Sequence, residues 1–518
     1  MRKYCDAVAA RFLGLCSSPM STRAIATSTL WQIFSQFTMA VLSTIAVKFV
    51  AIGLSRELAG AYNSAYGYLQ LFAILADFGL YAVSVREVST AKDPGRVLGA
   101  LLVLRSIIAF LSLGAAVVIA WMVPAWQGNP LRIGIAIASF VPFFTLLAGV
   151  LRTIFQVRYK MHYVFIAEVA QRIVTVVLMA IIIFSGIRLS DDPAIYHYFL
   201  WVGSIGALVL LVLSIAFALR EMRIELCFDR VLLMRLLKRA APYGVAFLCI
   251  ALYRQFDLTM IALLRDDFEL QNASYGFASR ISEMSYLIPT FLLNSTLPVL
   301  SERFDRKQPV NNLLGKTLFL ILSIGSVAAL FSFFWARPIM QLLTTEAYLS
   351  HGAQVGADTA LMLLSIPIFL NGIVLFSFYA LLTRHEWKAL VVRMVIAVFI
   401  SLGLNFYFIR TDGFVGAIHT SMIVHLFLAL ALFPEVLRVF PISFPMSYLV
   451  KWGGFSACLA LGLWLTLPLL STTPAIILGL AAACIFLALL AFLFRFHRIF
   501  FLPRGSAVDA LDVGGMIE

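Results

Sequence analysis

Along this chain, apolar residues come in runs of about twenty that are almost free of charge, the length a helix needs to cross a hydrocarbon layer about 30 Å thick. Fourteen such runs are read, at residues 28–52, 60–84, 97–123, 131–151, 163–185, 194–219, 241–264, 273–300, 313–335, 360–382, 389–408, 413–433, 448–467 and 475–494. Lipid admits only helices and closed barrels as spanning structures, and these runs are too long for barrel strands. The expected fold is therefore an all-α polytopic membrane protein. With 62% hydrophobic and 13% charged residues in 518, the composition lies beyond the roughly 45–50% apolar content of soluble domains. The short joints leave no room for a large polar domain, so function has to be sought in the helices themselves.

Charge then orients the spans. If the N-terminus lies in the cytoplasm, 28 of the 39 Lys and Arg residues fall in inner loops and helix ends, and only six (Arg56, Arg132, Arg188, Arg265, Arg337 and Arg410) fall outside. Loop Lys and Arg counts set topology, so both termini are expected in the cytoplasm of a cell with this protein in its inner membrane. The same bias accounts for the net charge of +13 without a nucleic-acid partner, for which the loops are too short. The opening 1–27 has a basic start, but Asp6 and Arg11 interrupt any signal-peptide core, and it is read as a cytoplasmic amphipathic lead. The six cysteines and seven histidines show no metal spacing, and no cofactor is expected.

The remaining five basic residues, Lys48, Arg105, Arg172, Arg254 and Arg280, lie within spans. A charge at the bilayer centre costs at least about 2.5–3.5 kcal/mol on insertion scales, so it should face the bundle interior and be paired. Helical spacing offers the pairs: Glu168 with Arg172 at i,i+4, and Arg254 with Asp257 and Arg280 with Glu283 at i,i+3. The second of these sits inside the apolar stretch ALYRQFDLTMIALL, residues 251–264. Lys48 and Arg105 lie nearer helix ends, where long side chains snorkel. Self-neutralising glue between helices and a water-filled cationic lumen both fit these pairs.

The longest inner connection, residues 220–240, is strongly basic and reads as a joint between halves. At an offset of 213, GAYNSA (60–65) matches ASYGFA (273–278), aligning Tyr62 with Tyr275 and Ala65 with Ala278. Six helices per half keep the same orientation, so the repeats are parallel, a plan that recurs in transporters with a midplane site between halves. The expected organisation is a lead (1–27), a six-helix bundle (28–219), a basic linker (220–240), a second six-helix bundle (241–433), two further helices within 434–494 and a cytoplasmic tail (495–518).

At these residues the chain resembles a known family. The stretch ELAGAYNSAYGYLQLFAILADFGLYAVSVRE (57–87), then LLKRAAPYGVAFLCIALYRQFDLTMIALL and ASYGFASRISEMSYLIPTFLLNSTLPVLSERF, resembles the oligosaccharide and polysaccharide flippases of the multidrug/oligosaccharidyl-lipid/polysaccharide exporter superfamily. The positions that carry it are Gly60, Tyr62, Asp77-Phe78-Gly79 and Arg86-Glu87, then Pro242, Asp257, Tyr275, Ala278, Arg280, Pro289 and Pro298. The chain departs from the pattern at Ala273, where the family usually has Gly, and in its longer lead. The resemblance implies two facing six-helix bundles and a lipid-linked oligosaccharide, on a polyprenyl pyrophosphate, carried across the membrane by alternating access for cell-surface polysaccharide synthesis. It implies Arg254, Arg280, Arg172 and Lys48 as substrate-binding cations, with Asp257, Glu283 and Glu168 as charge partners or as the site of proton or sodium coupling. Membrane lipids and polysaccharide assembly proteins are the partners it suggests.

Two rivals are weighed. A drug or cation antiporter of the same superfamily commonly carries an acid in the first helix; here 28–52 holds Gln32, Gln36 and Lys48 but no Asp or Glu, while Asp257 keeps that reading open. A membrane-embedded polysaccharide polymerase or ligase would carry a large catalytic outer loop. The longest outer loop, 336–359, holds Arg337, Glu346, His351 and Asp358 without an acid/base or nucleophile arrangement, so no enzymatic activity is expected. NNLLGKT (311–317) lacks the earlier glycine and the strand of a phosphate-binding loop.

Overall fold

A computed structural model describes residues 19–496, apart from residues 78, 291, 294, 295, 297–299, 301, 302, 304–309, 353, 384–386 and 441. Residues 1–18 of the lead, the tail from 497 on, Phe78, Pro298 and Glu302 therefore lie outside the described residues. The α-helices, in chain order, are α1 (Pro19–Gly53), α2 (Arg56–Asp77), α3 (Leu80–Thr90), α4 (Pro94–Met122), α5 (Leu131–Ala138), α6 (Phe140–Val157), α7 (Met161–Phe184), α8 (Pro193–Glu221), α9 (Arg230–Gln255), α10 (Asp257–Leu264), α11 (Phe268–Ser285), α12 (Asn311–Phe334), α13 (Ala336–Leu343), α14 (Ala357–Thr383), α15 (Trp387–Asp412), α16 (Phe414–Val439), α17 (Met446–Thr466) and α18 (Thr473–Leu493). Among the described residues, β pairing is confined to two isolated bridges, Leu54 with Ser190 and His351 with Gln354. The all-α expectation holds.

Every expected span falls on these helices, that at 273–300 only in part. Ten helical segments among the described residues are long and apolar enough to cross a membrane. The four expected spans that are not among the ten are 28–52, 60–84, 241–264 and 273–300, the first two helices of each half. They carry Lys48, Asp77, Arg254, Asp257 and Arg280. Four expected spans are interrupted among the described residues, that at 273–300 by a turn at Tyr286. Span 60–84 breaks between α2 and α3, where Gly79 takes the left-handed φ of 68° that side chains disfavour. Span 131–151 breaks at Ser139, and span 241–264 at Phe256.

The described chain forms two compact units. One comprises residues up to Arg280 together with Leu343–Ala360 and Met394–Val424. Within it α7 packs against α1 and α8, α8 against α6, and α2 against α4, α5 and α9. Here α2 also meets α10 and α11 at very short range. The place where a Cβ would stand on Gly60 is 1.7 Å from the Glu269 carbonyl oxygen, and that on Gly67 is 2.7 Å from Leu258 Cβ. Asn63 Nδ2 donates to the Asn272 carbonyl at 3.1 Å, and Asn272 Nδ2 donates to Ser64 Oγ at 2.8 Å and to the Leu258 carbonyl at 2.9 Å. A Cβ on Gly276 would lie 2.5 Å from Asn63 Nδ2. Asn63 and Gly276 are positions that the 213-residue offset aligns.

The other unit holds Ile281–Leu342, Leu361–Arg393 and residues from His425 on. Its core gathers Phe319, Trp335, Phe455, Leu459 and Leu463. Two indoles pin α17 in place: Trp335 Nε1 donates to the Leu463 carbonyl at 3.0 Å, and Trp452 Nε1 donates to Ser326 Oγ at 2.9 Å. Arg393 pairs with Glu435 at 2.8 Å.

The basic linker is fastened along its length. Residues 222–229 run extended beside the start of α4, so close that Cβ atoms on Gly95 and Gly99 would stand 2.4 Å and 1.9 Å from the carbonyl oxygens of Arg223 and Glu225. Glu221 pairs with Lys160 at 2.8 Å and Arg158 at 3.3 Å, and Arg96 pairs with Asp229 at 3.3 Å. Asp229 also caps α9, accepting from the amides of Val231 and Leu232 at 3.0 and 3.3 Å. Hydrogen bonds from Lys160 hold Glu221 below the usual carboxylate range.

Two outcomes follow. Gly99→Ala should lift the linker from α4 and expose residues 222–229 to limited proteolysis, whereas Gly114→Ala, with nothing within 4 Å of the new methyl, should not. Because the folded-state pKa of Glu221 is depressed, its contribution is present at neutral pH and lost as pH falls through and below the ordinary carboxylate range. Glu221→Gln should thus loosen the linker at pH 7 as acid alone does in the wild type, read by the same proteolysis.

Candidate functional site

One stripe of α2 supplies much of the polar surface inside the first unit. Tyr62, Tyr66, Gln70, Ala73 and Asp77 recur at three- and four-residue spacing and so share a helix face. Ser55 opens the helix by accepting from the Leu58 amide at 3.4 Å. At the other end, Arg105 of α4 closes it. Its guanidinium, 3% exposed, pairs with the Asp77 carboxylate, and donates to the Asp77 carbonyl at 2.8 Å and to the carbonyls of Ala76 and Leu146 at 3.4 Å. Arg105 was expected to snorkel; instead it satisfies the last carbonyls of α2, which have no intrahelical partner.

None of the three expected i,i+3 and i,i+4 pairs is present. Glu168 of α7 pairs with Arg152 at 2.9 Å and accepts from Ser35 Oγ at 2.7 Å, not with Arg172. Arg172 is left with its Nε buried and without a hydrogen-bond partner among the described residues. It lies close enough to Tyr62, Tyr66 and Arg280 for their charges to interact. Arg280 of α11 sits over the rings of Tyr62 and Tyr66, at 5.7 and 5.8 Å from their centroids, within cation–π range. It makes no ion pair among the described residues. Glu283 is exposed, and its carbonyl accepts from the Tyr286 amide at 3.2 Å. The reason is general: helical spacing brings two side chains near each other, but in a bundle a neighbouring helix offers better-aimed partners.

Arg254 and Asp257 are separated by the interruption at Phe256. Arg254 stands in the last turn of α9 and Asp257 in the first turn of α10, so each charge complements the dipole at its own helix end. Asp257, 4% exposed, accepts from Tyr275 Oη at 2.8 Å and Asn405 Nδ2 at 2.9 Å. Among the described residues no cation pairs with it. The Oδ1 of the same Asn405 is buried without a hydrogen-bond partner among the described residues. Lys48 is engaged elsewhere, donating to the Thr344 carbonyl just past α13.

Beside the tyrosines lies a cavity of about 490 Å³ between α2, α6 and α9, lined among others by Tyr66, Gln70, Asp77, Thr145, Arg254 and Gln255. Tyr66 thus links two regions: it shares the cavity with Arg254 and carries Arg280 on its face, with Arg172 nearby. Sequence reasoning singled out the arginines but missed Tyr66, Gln70 and Asp77 as lining residues; their common stripe on α2 was the available signal. No group of three or more metal-ligating His, Cys, Asp or Glu residues occurs among the described residues.

A multi-pass bundle with interrupted helices and charged side chains inside its spans is also what the comparisons with known proteins find. Residues 25–304, more than half the chain, match the family model described as polysaccharide biosynthesis protein, and residues 242–409 match the MatE model. The chain belongs to the polysaccharide biosynthesis protein family, within the multidrug/oligosaccharidyl-lipid/polysaccharide exporter superfamily, whose relatives here are transporters and flippases, not enzymes. No curated protein matches it significantly. Among solved structures, the lipid II flippase MurJ in an inward closed conformation aligns with a TM-score of 0.66 at 14% identity, covering 91% of this chain and 99% of that one. An inward-facing multidrug resistance MATE family transporter aligns at 0.59 and 14% identity, over 77% and 94%. A transporter of that superfamily from Pyrococcus furiosus, described as having a binding pocket of reverse polarity, aligns at 0.55 and 13% identity, over 80% and 95%. At such identities these likenesses establish the fold alone.

Removing one partner of a buried ion pair costs about 3–5 kcal/mol. Arg105→Met should therefore lower the apparent melting temperature of the detergent-solubilised protein, and Arg105→Met with Asp77→Asn should recover part of the loss.

Proposed function

We propose that this protein is a flippase that carries a polyprenyl-pyrophosphate-linked oligosaccharide across the cytoplasmic membrane, with both termini in the cytoplasm and with assembly of a cell-surface polysaccharide as the process served. The observation that carries the reading is the pair Arg172 and Arg280. Two guanidinium groups share one tyrosine-walled region, and the two acids expected to neutralise them do not: Glu168 is taken by Arg152 and Ser35, and Arg280 has no ion-pair partner among the described residues. Like charges held near each other and partly shielded from water are costly, and a dianionic pyrophosphate relieves that cost with charge-assisted, bidentate hydrogen bonds. Arg254, on the far side of Tyr66, extends the cationic lining into the cavity. The MurJ likeness supports a lipid-linked substrate, and the bias of 28 inner to six outer basic residues supports the orientation.

Asp257 is the coupling position in this proposal. It is a buried carboxylate at a half-helix start, free of any cation among the described residues and in contact with Asn405, whose Oδ1 has no partner among them, the kind of helix interruption at which transporters bind ions. A proton or a sodium ion would supply the missing positive charge. The remaining expected site members take lesser parts: Lys48 ties α1 to Thr344, and Glu168 positions Arg152.

The test is reconstitution in liposomes with a fluorescent polyprenyl-pyrophosphate oligosaccharide. Loss of one charged hydrogen-bonding partner is worth about 1.5–3 kcal/mol, so Arg172→Ala and Arg280→Ala should each slow translocation by about tenfold or more at unchanged protein level. Asp257→Asn should keep substrate binding and abolish the dependence of transport on the proton or sodium gradient. Wild-type liposomes that extrude an organic cation and leave the lipid-linked sugar in place would replace this reading with that of an antiporter.

A further inference from the structure

The segment that joins α8 to α9, with the first turns of α9, turns two different faces to its surroundings. Inward, Met222, Ile224, Leu233 and Leu236 pack with Val88, Leu98 and Leu101 in one apolar core. Outward, large apolar side chains are left uncovered: Leu226 is 75% exposed, Phe228 74% and Val231 70%. Four cations, Arg223, Arg230, Arg235 and Lys238, stand exposed among them. Arg96 and Arg239 nearby pair with Asp229 and Glu87, but these four make no ion pair among the described residues. Against them the stretch 222–240 sets only the acids Glu225 and Asp229, and Asp229 is spent on Arg96 and on the α9 cap.

The depth of the segment decides what covers those apolar side chains. Its extended part runs beside α4, one of the helices long and apolar enough to cross a membrane. The Arg223 carbonyl lies against Gly95 and the Glu225 carbonyl against Gly99. At 1.5 Å per residue, Gly99 stands about 7.5 Å along α4 from its first residue, Pro94. Amphipathic segments at a membrane surface bury their apolar side about 5–10 Å into the boundary between head groups and acyl chains, the depth at which Leu226 follows Glu225. The cations around it are carried on long stems that reach back to the phosphate layer. A soluble acidic partner would match the charge, but it lies outside the lipid and would leave Leu226 and Phe228 without contact. An anionic phospholipid answers both the charge and the apolar surface.

We propose that residues 223–238 form a docking surface for anionic phospholipid, with Arg223, Arg230, Arg235 and Lys238 on the phosphates and Leu226, Phe228 and Val231 in the acyl layer. It shares with the flippase reading only the placing of this segment on the cytoplasmic side. To that reading it adds a second lipid site, built from other residues than Arg172 and Arg280, whose occupant is not cargo. The occupant ties the joint between α8 and α9 to the inner leaflet, so the anionic content of that leaflet governs how firmly the joint is held.

Equilibrium binding of a fluorescent phosphatidylglycerol to the full-length protein in micelles of a neutral detergent, with no polyprenyl lipid present, tests it. Each cation near an anionic lipid surface is worth about fivefold in binding. Arg223→Gln with Arg230→Gln and Arg235→Gln should therefore weaken phosphatidylglycerol binding by about tenfold or more. Leu226→Ser with Phe228→Ser should weaken it by about tenfold, the worth of burying one such side chain. Arg188→Gln, which removes an exposed cation of the opposite side, should leave it unchanged. Every substituted side chain but that of Arg235 lies in a loop or at the very start of α9, and an unchanged melting temperature shows that each variant is folded. Equal binding by the wild type and the triple arginine variant overturns the docking surface. So does wild-type binding of phosphatidylcholine as tight as that of phosphatidylglycerol, and so does full displacement of the probe by inorganic phosphate, which would make the cations a site for a free anion. None of these outcomes touches the flippase reading, which falls only if the lipid-linked sugar is not translocated.

Discussion

A guanidinium or ammonium taken out of water must find an acceptor or a π face, and that constraint organises the interior of this protein. The five basic residues placed within spans meet it in different ways. Arg105 takes both the carboxylate and the end carbonyl of Asp77, and Lys48 takes a peptide carbonyl. Arg254 lies at the negative end of a helix. Arg280 rests on two tyrosines, and Arg172 lies beside it. The first two are held by acceptors of the chain itself. Arg280, by contrast, makes no ion pair among the described residues, and the Nε of Arg172 has no hydrogen-bond partner among them, and this unevenness is what singles the two out.

Such a solution demands that α2 stand close to its neighbours. Tyr62 and Tyr66 reach Arg280 only because α2 approaches α10 and α11 at backbone distance, through Gly60 and Gly67. The hydrogen bonds of Asn63, Ser64 and Asn272 then satisfy the polar groups that this approach buries. Substitution at either glycine would therefore act on the site from a distance, by moving the tyrosine faces away from the guanidinium rather than by removing any group that meets substrate.

The fold was largely legible in the sequence because lipid forces the pattern: runs of twenty apolar residues have few alternatives, and the spans fell where hydropathy put them. The interruptions at Gly79, Ser139 and Phe256 were not legible, since each is decided by local contacts such as Arg105 on the last turn of α2. Of the site, the residue types and depths could be read, and so could the importance of Arg172, Arg254 and Arg280 as charges needing an explanation. Their partners could not. The Glu168 carboxylate lies four residues from Arg172 in sequence but turns to Arg152 on α6 and Ser35 on α1, a choice made by the packing of α1, α6 and α7 that no spacing rule contains. The recurrence of Tyr62, Tyr66, Gln70 and Asp77 on one face of α2 was a stronger pointer than any pair.

The contact of Asn63 with Gly276 leaves no slack. A Cβ on Gly276 would stand 2.5 Å from Asn63 Nδ2 and 2.6 Å from Asn63 Cβ, and the Asn63 amide is already committed to the Asn272 carbonyl. The asparagine therefore has no room to yield, and α2 and α11 are held at one separation. Any change that gave position 276 a side chain would have to be answered by a smaller residue at position 63, so the two positions are bound to vary together.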